Sequence, residues 1–504
     1  MVQTIILGLD GANWDLLEPW LSSEKLPNLA SLRQEGISAQ LESCLPPVTC
    51  PNWRCYSTGK NPGKLGVYWW EQINTDTQSY STPDSRSFES PNYWDYLNEN
   101  GNRVGIFNLP MTYPPFDVDG FFVSGGPGSE PDQYARPREL ERELNNSEYM
   151  MHPQDPPTCK EDRENAEEVI DIIDKRFRKF RELINNRPVD VAHCTIFYIN
   201  ALQHFFWRDK VTLRGWEIID EHIGRIKEEF ADSTLILMSD HGCSEVDTVF
   251  HINEWLKENG YLVTENRASD VLTETRINKR NISAILRKLR INDLARRVVP
   301  DKVKNSMPES EKGFKREQKL ARVDWDESSA IASGQGLVYV VEDKDSVVNK
   351  LVKELASLTG PDGKPVADQV YTKKEAYHGP YLNQAPDIIF KQRSGVHTSG
   401  AVGSSPVFTD TEKWKAENIP SGIFAIYGED IRTDVDIESI SITDVAPTIL
   451  QSVGNPIPHD MDGEAIKIFK KGEAKFRDPI SRSDDDSNVD TGIESRLEDL
   501  GYLE

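Results

Sequence analysis

Long apolar runs, paired cysteines and an excess of positive charge are all missing from this sequence. No stretch of its 504 residues approaches the roughly 18 consecutive apolar residues of a membrane-spanning helix. The first ten residues lack the basic start and the long apolar core of a secretory signal. The 6 cysteines show no paired spacing of the kind found in metal fingers. These absences predict a cytoplasmic protein with reduced thiols and no transmembrane segment.

The charge balance is strongly acidic. Lys and Arg number 58 against 83 Asp and Glu, which gives a net charge of -25. So acidic a surface argues against general nucleic-acid binding. Hydrophobic residues make up 37% of the chain, enough for a packed interior. The length would allow several domains, but α/β enzymes often keep longer chains in one core.

Several apolar runs rich in β-branched residues are predicted to be buried parallel strands, because they are continuous rather than alternating. They are residues 4–9, 103–107, 189–198, 234–238 and 387–390. Helical patterns at 163–185 and 213–230 lie between them. This alternation predicts an α/β fold whose mostly parallel sheet is covered by helices on both faces. Ligands of such sheets bind beyond the carboxyl ends of the strands.

Candidate metal ligands stand just after two of these runs. Asp10 ends the first run, and the pair Asp240-His241 follows the run 234–238. Carboxylates and neutral imidazoles are the usual oxygen and nitrogen ligands of Zn²⁺. Neither motif is specific alone, because a single Asp at a strand end is more often a turn or cap residue.

A candidate nucleophile lies in the proline-rich loop Leu45-Pro-Pro-Val-Thr49-Cys50-Pro51-Asn52-Trp53. A threonine hydroxyl becomes a useful nucleophile only when a metal ion or a base assists it. The alternative is that Thr49 merely caps the helix that follows.

Two histidine motifs complete the set. Asn200 and His204 are four residues apart and would share one face of a helix. His397 stands in a loop with glycines at both ends, Gly395 and Gly400. A single histidine beside aromatic residues is usually a packed one, so each motif needs the others for its interpretation as a ligand.

Taken in order, these motifs resemble the alkaline phosphatase superfamily and, within it, the type I phosphodiesterase and nucleotide pyrophosphatase branch. The resemblance spans nearly the whole chain. It extends to the segments 253–262, 323–325, 385–389, 442–450 and 460–463. It implies an alkaline phosphatase-like α/β sandwich, with a mostly parallel central sheet, helices on both faces and inserted cap segments.

The resemblance also implies a site for two divalent cations, zinc in the first place and manganese as the alternative. One cation would be surrounded by Asp10, Thr49, Asp240 and His241, and the other by Asn200, His204 and His397. Cations about 4 Å apart can bind the nucleophile and a phosphoryl oxygen together. Thr49 would then attack phosphorus and form a phospho-threonine intermediate, which water hydrolyses. The candidate substrate-binding residues are Asn52 and Trp70, although aromatic residues of this stretch more often belong to a core.

Three departures from the family pattern limit the prediction. The family has Asp where Asn200 stands, and an amide is the weaker ligand, so the second cation should be looser or different. The Asn that nucleotide pyrophosphatases carry after the nucleophile loop is replaced by the stretch 67–70, which argues against that specificity. Cys50 is followed directly by Pro51, unlike the spacing in sulfatases.

The predicted function is metal-dependent hydrolysis of a small-molecule or glycoconjugate phosphoester. Two alternatives stay open. One is a phosphotransferase or phosphomutase of the same superfamily, and the other is a scaffold that binds phosphorylated ligands without turnover. The amide at Asn200 favours the scaffold, whereas Thr49 and the intact first ligand set oppose it.

The predicted organisation is one α/β domain over 1–475, interrupted by a basic arm at about 265–322. Within 276–322 stand 15 Lys or Arg against 5 Asp or Glu. Such clustered charge could draw anionic surfaces or polyanionic substrates toward the protein, or it could pair with the acidic body. Residues 476–504 are predicted to form an acidic, flexible tail that ends in a short helix.

Overall fold

The computed structural model describes residues 2–88, 90–159, 162–264, 320, 322–403, 405–411, 414–470 and 472–481. In chain order, the strands are β1 (Thr4–Leu9), β2 (Ile37–Glu42), β3 (Gln72–Asn74), β4 (Ser79–Ser81), β5 (Val104–Pro110), β6 (Gly120–Gly125), β7 (Ala135–Arg136), β8 (Val191–Ile196), β9 (Thr234–Met238), β10 (Gly242–Glu245), β11 (Thr248–His251), β12 (Ala330–Ala332), β13 (Leu337–Val340), β14 (Ala367–Thr372), β15 (Ile388–Gln392), β16 (Val396–Ser399), β17 (Phe408–Asp410), β18 (Ala416–Ile419), β19 (Ser421–Tyr427), β20 (Ser439–Ser441), β21 (Ile457–Pro458) and β22 (Phe476–Arg477). The α-helices are α1 (Trp14–Ser22), α2 (Pro27–Glu35), α3 (Thr49–Thr58), α4 (Pro62–Leu65), α5 (Tyr93–Glu99), α6 (Arg138–Asn145), α7 (Arg163–Asn186), α8 (Tyr198–Phe205), α9 (Lys210–Glu229), α10 (Ile252–Glu258), α11 (Lys344–Ser357), α12 (Lys373–Ala376) and α13 (Val445–Ser452).

The central sheet has nine strands in the order β20-β2-β19-β9-β1-β8-β5-β6-β7. Strand β1 pairs in parallel with β8 on one side and with β9 on the other. Strands β8, β5 and β6 continue the parallel arrangement, whereas β19 is antiparallel to both of its neighbours. Every residue of β1 is buried, as its unbroken apolar sequence predicts. The predicted mostly parallel sheet is confirmed.

Two groups of helices cover this sheet. Helices α2, α7, α8 and α9 pack against one another, and α3, α5 and α13 form a second group. The predicted helix at 163–185 is α7, whose apolar residues are buried at helical spacing. The predicted helix at 213–230 is α9, which begins earlier, at Lys210. The reason is a cap: the side chain of Asp209 accepts a hydrogen bond from the backbone N–H of Val211.

One predicted parallel strand has the wrong partners. Residues 387–390 were expected in the parallel sheet, but β15 pairs antiparallel with β13 and β14 in a separate four-stranded sheet. A continuous apolar run indicates that both faces of a strand are covered, but it carries no information about strand direction. Helix α11 contacts three strands of this sheet, which accounts for the burial.

Two small sheets lie beside the carboxyl ends of the central strands. Strand β10, directly after Asp240-His241, pairs antiparallel with β18. Strand β11 pairs in parallel with β16, so that Val249 lies opposite His397. These sheets bring late parts of the chain next to the ligands predicted from its first half.

The basic segment 276–322 lies outside the described residues except for Leu320 and Arg322, and so do residues 482–504 of the predicted tail. Both predictions therefore stay predictions. Within the described parts of the chain, no helix combines the length and the apolar character needed to cross a membrane.

Candidate metal-binding active site

Thr49 is the first residue of α3 and does not cap it. The N-cap is Val48, which makes no side-chain cap bond. The Thr49 hydroxyl instead donates to Oδ1 of Asp10 at 3.4 Å, and it lies 3.2 Å from Nε2 of His241. The hydroxyl thus points at the predicted metal ligands, and the capping alternative is wrong.

The loop before α3 is held by Asn52. Its side-chain oxygen accepts from the backbone N–H of Cys44 at 2.9 Å. Its amide nitrogen donates to the carbonyls of Pro46 at 2.9 Å and Val48 at 3.0 Å. Both ends of the amide therefore fix the backbone that presents Thr49.

These contacts bear on the candidate substrate-binding residues. Asn52 has no exposed surface, and neither has the side chain of Trp70. The structure buries both residues and places Asn52 against the nucleophile loop. Their role in substrate binding stays a prediction.

Asp10, Asp240 and His241 form a compact, buried cluster. One ligand atom from each lies within 4.8 Å of the other two, and all three side chains are buried. Nε2 of His241 is 3.7 Å from Oδ1 of Asp10 and 3.2 Å from Oδ2 of Asp240. The three residues meet because β1 and β9 are adjacent parallel strands whose carboxyl ends share one edge.

Neighbouring groups orient the two carboxylates. Oδ1 of Asp240 accepts from the backbone N–H of Gly11 at 3.2 Å. Gly11 has a φ of 68°, and a side chain there would collide with Asn200. Oδ2 of Asp10 accepts from Nε1 of Trp53 at 2.9 Å. Trp53 stands four residues after Thr49 on the same helix, so its spacing could have identified it from the sequence.

Burial dominates the electrostatics of this cluster. Burial and the nearby Asp240 raise the pKa of Asp10 well above its ordinary value. Burial likewise raises the pKa of Asp240 to about 7. For His241, burial lowers the pKa to about 4, so the ring is neutral at pH 7.

The donor set fits a divalent cation. Nδ1 of His241 donates to the carbonyl of Gly242 at 3.0 Å, so Nε2 carries the lone pair of the neutral ring. That lone pair faces oxygens of both carboxyl groups, an arrangement that is repulsive unless a proton or a cation lies among them. Oδ2 of Asp240 has no hydrogen-bond partner among the described residues. A buried lone pair and an unpaired carboxylate oxygen are what a bound cation would satisfy.

Asn200, a predicted ligand of the second cation, contacts residues of the first cluster. Its side-chain oxygen accepts from Nε2 of Gln203 at 3.2 Å and from Sγ of Cys243 at 3.0 Å. Its hydrogen bond to Asp10 opposes the rise of that carboxyl's pKa. The amide is thus in contact with the first cluster.

The two remaining histidines meet at one indole. The ring of His204 stacks on Trp414 with the centroids 4.2 Å apart, and the ring of His397 lies 5.3 Å from the same indole. Nδ1 of His204 donates to the carbonyl of Ala416 at 2.7 Å, so Nε2 carries the lone pair. Burial lowers the pKa of His204 to about 4. His204 is therefore in the neutral form that binds metals.

Glu417 is an acidic residue of this region that no sequence motif indicated. Its carboxylate contacts Nδ1 of His397, and its other oxygen accepts from Nε2 of Gln335 at 2.7 Å. Burial alone would raise the pKa of Glu417, but the charge of His397 and its hydrogen bond bring that pKa below its ordinary value. No spacing in the sequence connects Glu417 with His397, because the pairing of β10 with β18 positions it.

Comparison with known proteins agrees with this architecture. The murine ectonucleotide pyrophosphatase/phosphodiesterase 5, an inactive variant in complex with AMP, is 13% identical at a TM-score of 0.53, over 91% of this chain and 97% of that one. Phosphonoacetate hydrolase from Sinorhizobium meliloti 1021, in complex with phosphonoformate, is 13% identical at a TM-score of 0.55, over 90% of this chain and 95% of that one. At 13% identity, these similarities show that the proteins share a fold.

No curated protein sequence matches the chain. The family model described as type I phosphodiesterase / nucleotide pyrophosphatase, however, matches residues 4–413. The chain therefore belongs to the type I phosphodiesterase/nucleotide pyrophosphatase family, a family of metal-dependent hydrolases that act on phosphoric ester bonds.

Proposed function

We propose that this protein hydrolyses a phosphoester through a phospho-threonine intermediate on Thr49, at a site for two divalent cations. One cation would be held by Asp10, Thr49, Asp240 and His241, and the other by Asn200, His204 and His397. The observation that carries the proposal is the direction of the Thr49 hydroxyl, which points at Asp10 and His241 instead of at its own helix.

The residues of the first cluster prepare the nucleophile. The hydrogen bond to Asp10 orients the Thr49 hydroxyl, and Trp53 fixes Asp10 in turn. The first N–H groups of α3 have no acceptor within the helix, so its N-terminus favours an anionic phosphoryl group. When bound, the cations lower the cost of the threonine alkoxide and neutralise charge on the phosphoryl oxygens.

The proposed reaction has two displacements. In the first, Oγ1 of Thr49 loses its proton to water and forms a bond to phosphorus, and the ester oxygen leaves with the electron pair of its broken bond and takes a proton from water. In the second, a water oxygen loses a proton and forms a bond to phosphorus, the bond between phosphorus and Thr49 breaks, and Oγ1 takes up a proton. The hydroxyl is thereby restored, and one phosphoester has consumed one water.

The ligands of the structural relatives support a small-molecule substrate. The murine structure contains AMP, and the bacterial one contains phosphonoformate, both compact phosphorus acids.

Mixed carboxylate and imidazole ligands suit Zn²⁺, with Mn²⁺ as the alternative cation. If an alcohol replaced water in the second displacement, the same site would act as a phosphotransferase.

Release of p-nitrophenol from mono- and bis-p-nitrophenyl phosphate, with and without Zn²⁺ or Mn²⁺, tests the proposal. We expect metal-dependent turnover by the wild type and a loss of several orders of magnitude in Thr49→Ala, because the nucleophile is removed. Thr58→Ala is the matched control. It removes a buried hydroxyl from the same helix, but one that donates to the backbone carbonyl of Arg54.

The outcomes separate the alternatives. More than a tenth of wild-type activity in Thr49→Ala would show that another group is the nucleophile. Metal-dependent binding of phosphate esters without turnover of either substrate would favour the scaffold. Adding glycerol distinguishes transfer from hydrolysis, since a phosphotransferase would release p-nitrophenol faster and form glycerol phosphate.

A further inference from the structure

The second group of predicted ligands carries no permanent charge. Asn200 is an amide, and Nδ1 of His204 donates to the carbonyl of Ala416, which leaves the Nε2 lone pair of a neutral ring for a metal. A divalent cation surrounded only by neutral ligands in a buried site would leave its charge uncompensated, which is costly. A carboxylate close to this group would remove that cost.

Glu417 is a buried carboxylate next to this group. Its side chain is 2% exposed, and its partner within ion-pair distance is His397. Among the described residues, no Lys or Arg forms an ion pair with it. An ionised carboxylate buried without a permanently positive partner is itself unfavourable, so Glu417 and a cation would each lower the cost of burying the other.

The chain gives Glu417 a fixed place beside both histidines. The backbone carbonyl of its neighbour Ala416 accepts a hydrogen bond from Nδ1 of His204, while the Glu417 side chain contacts Nδ1 of His397. Two consecutive residues of β18 therefore set the orientation of both rings. A carboxylate on the Nδ1 side of an imidazole keeps the Nε2 lone pair for a metal and raises the basicity of that nitrogen.

The rest of the Glu417 carboxylate is held rigidly. Oε1 accepts from Nε2 of Gln335 and from the backbone N–H of Asn418, each at 2.7 Å. Strand β18 is itself fixed by its pairing with β10, in which Ser244 lies opposite Glu417. The carboxylate is thus held in place before any ligand binds.

We propose that Glu417 is the carboxylate of the second cation site, acting through His397 to supply the negative charge that Asn200 lacks. The inference rests on the proposed two-cation function. It makes Glu417 a positioning residue rather than a catalytic one, because its contact is with a ligand and not with the reacting atoms. It also explains how the site can tolerate an amide at Asn200.

The test measures bound metal instead of activity. Metal-free protein is equilibrated with buffered Zn²⁺, bound metal is counted by mass spectrometry, and affinities are measured by calorimetry. The variants are Glu417→Gln, Asn200→Asp and the two combined. The matched control is Glu254→Gln, which removes another buried carboxylate whose partners are Lys257 and the backbone N–H of Gly403.

We expect two cations in the wild type and in the Glu254→Gln control. Glu417→Gln should keep the first cation and bind the second roughly 10- to 100-fold more weakly, as is typical when an outer carboxylate partner is lost. The double variant should regain the second cation, because Asn200→Asp returns a negative charge to the same group. A merely structural role of Glu417 would not produce this rescue.

Specific results would overturn the inference. One is a Glu417→Gln variant that folds and binds two cations with wild-type affinity. If Glu417→Gln does not fold, the deciding result comes from the double variant Glu417→Gln/Asn200→Asp. A folded double variant that binds a single cation would overturn the inference. A wild type that binds a single cation would instead overturn the two-cation proposal itself, and this inference with it.

Discussion

The two ligand groups of this protein are built in different ways. The first takes Asp10 and Asp240-His241 from the ends of adjacent parallel strands, so its ligands converge within 4.8 Å. The second takes its residues from helix α8 and from strands of two small sheets, β16 and β18. Among the described residues, only the first group brings three acidic, histidine or cysteine ligands so close together. Compactness thus follows from the parallel sheet, and the second group depends on pairing between distant segments.

The two groups also differ in their proton affinity. Burial raises the pKa values of both carboxyls in the first group. In the second group, burial lowers the pKa of His204, and the contact with His397 lowers that of Glu417. The first group therefore holds protons that a cation must displace, whereas the second is already deprotonated at these two residues at neutral pH. Three predictions test this contrast.

The largest effect is expected from Asp240→Asn. The change removes a charge that faces Nε2 of His241 at 3.2 Å, and with it a ligand of the first cation. We expect a fall in kcat/KM on the order of 10³-fold or more, with a weakened first cation and a retained second one. Steady-state kinetics and metal counting measure both quantities.

Asp220→Asn serves as the control for this prediction, since Asp220 is a buried carboxylate of α9 that bonds Asn28 and Leu29. Its cation content should equal that of the wild type. If Asp240→Asn lost both cations at once, the two groups would be one coupled site and the contrast between them would fail.

A smaller and graded effect is expected from pH. Because burial raises the pKa of both carboxyls, that of Asp240 to about 7, the affinity of the first site for Zn²⁺ should rise by at least about tenfold per pH unit below pH 7. The affinity of the second site should rise less steeply, because burial lowers the pKa of His204 and the contact with His397 lowers that of Glu417. Calorimetric titrations at several pH values, in buffers of different ionisation enthalpy, report the affinities and the protons released.

The carboxyl of Asp240 also makes the stability of the metal-free protein depend on pH. A folded-state pKa above the unfolded value favours the protonated form, so this contribution to stability is present at low pH and is lost as pH rises through about 7.

Equal slopes of Zn²⁺ affinity against pH at the two cation sites would contradict the proposed difference in protonation.

The smallest effect is expected from Trp53→Phe. The change removes the Nε1 hydrogen bond to Asp10 but keeps an aromatic ring in the core. Trp94→Phe is the matched control, because Trp94 is also fully buried and its Nε1 has no hydrogen-bond partner among the described residues. We expect Trp53→Phe to lower the free energy of unfolding by about 1 kcal/mol more than the control.

The catalytic readout sharpens this comparison. Trp53→Phe should reduce kcat by less than about tenfold, because Asp10 keeps its hydrogen bond from Thr49. Trp94→Phe should leave kcat unchanged. A drop as large as that of Asp240→Asn would mean that the indole contacts the substrate.

Two central strands and the ligands of the first group could be predicted from short-range features of the sequence. Continuous β-branched runs predicted β1 and β9, because a strand buried on both faces needs apolar side chains at every position. Asp10 and Asp240-His241 could then be placed together, since parallel strands end at one edge of a sheet. Thr49 was assigned as the nucleophile through the family resemblance that these ordered motifs carry. The other inferences depend on residues that are neighbours in the chain or on one topological rule.

Other features depend on contacts that no local pattern encodes. Two examples are the direction of β15 and the contact of Trp414 with both histidines, which arise from packing between distant segments. Glu417 is the clearest case, because an isolated acid near the end of a chain with 83 acidic residues carries no signal of its own. Its position beside His397 exists only because antiparallel pairing of β18 with β10 fixes both the strand and the face on which each side chain lies.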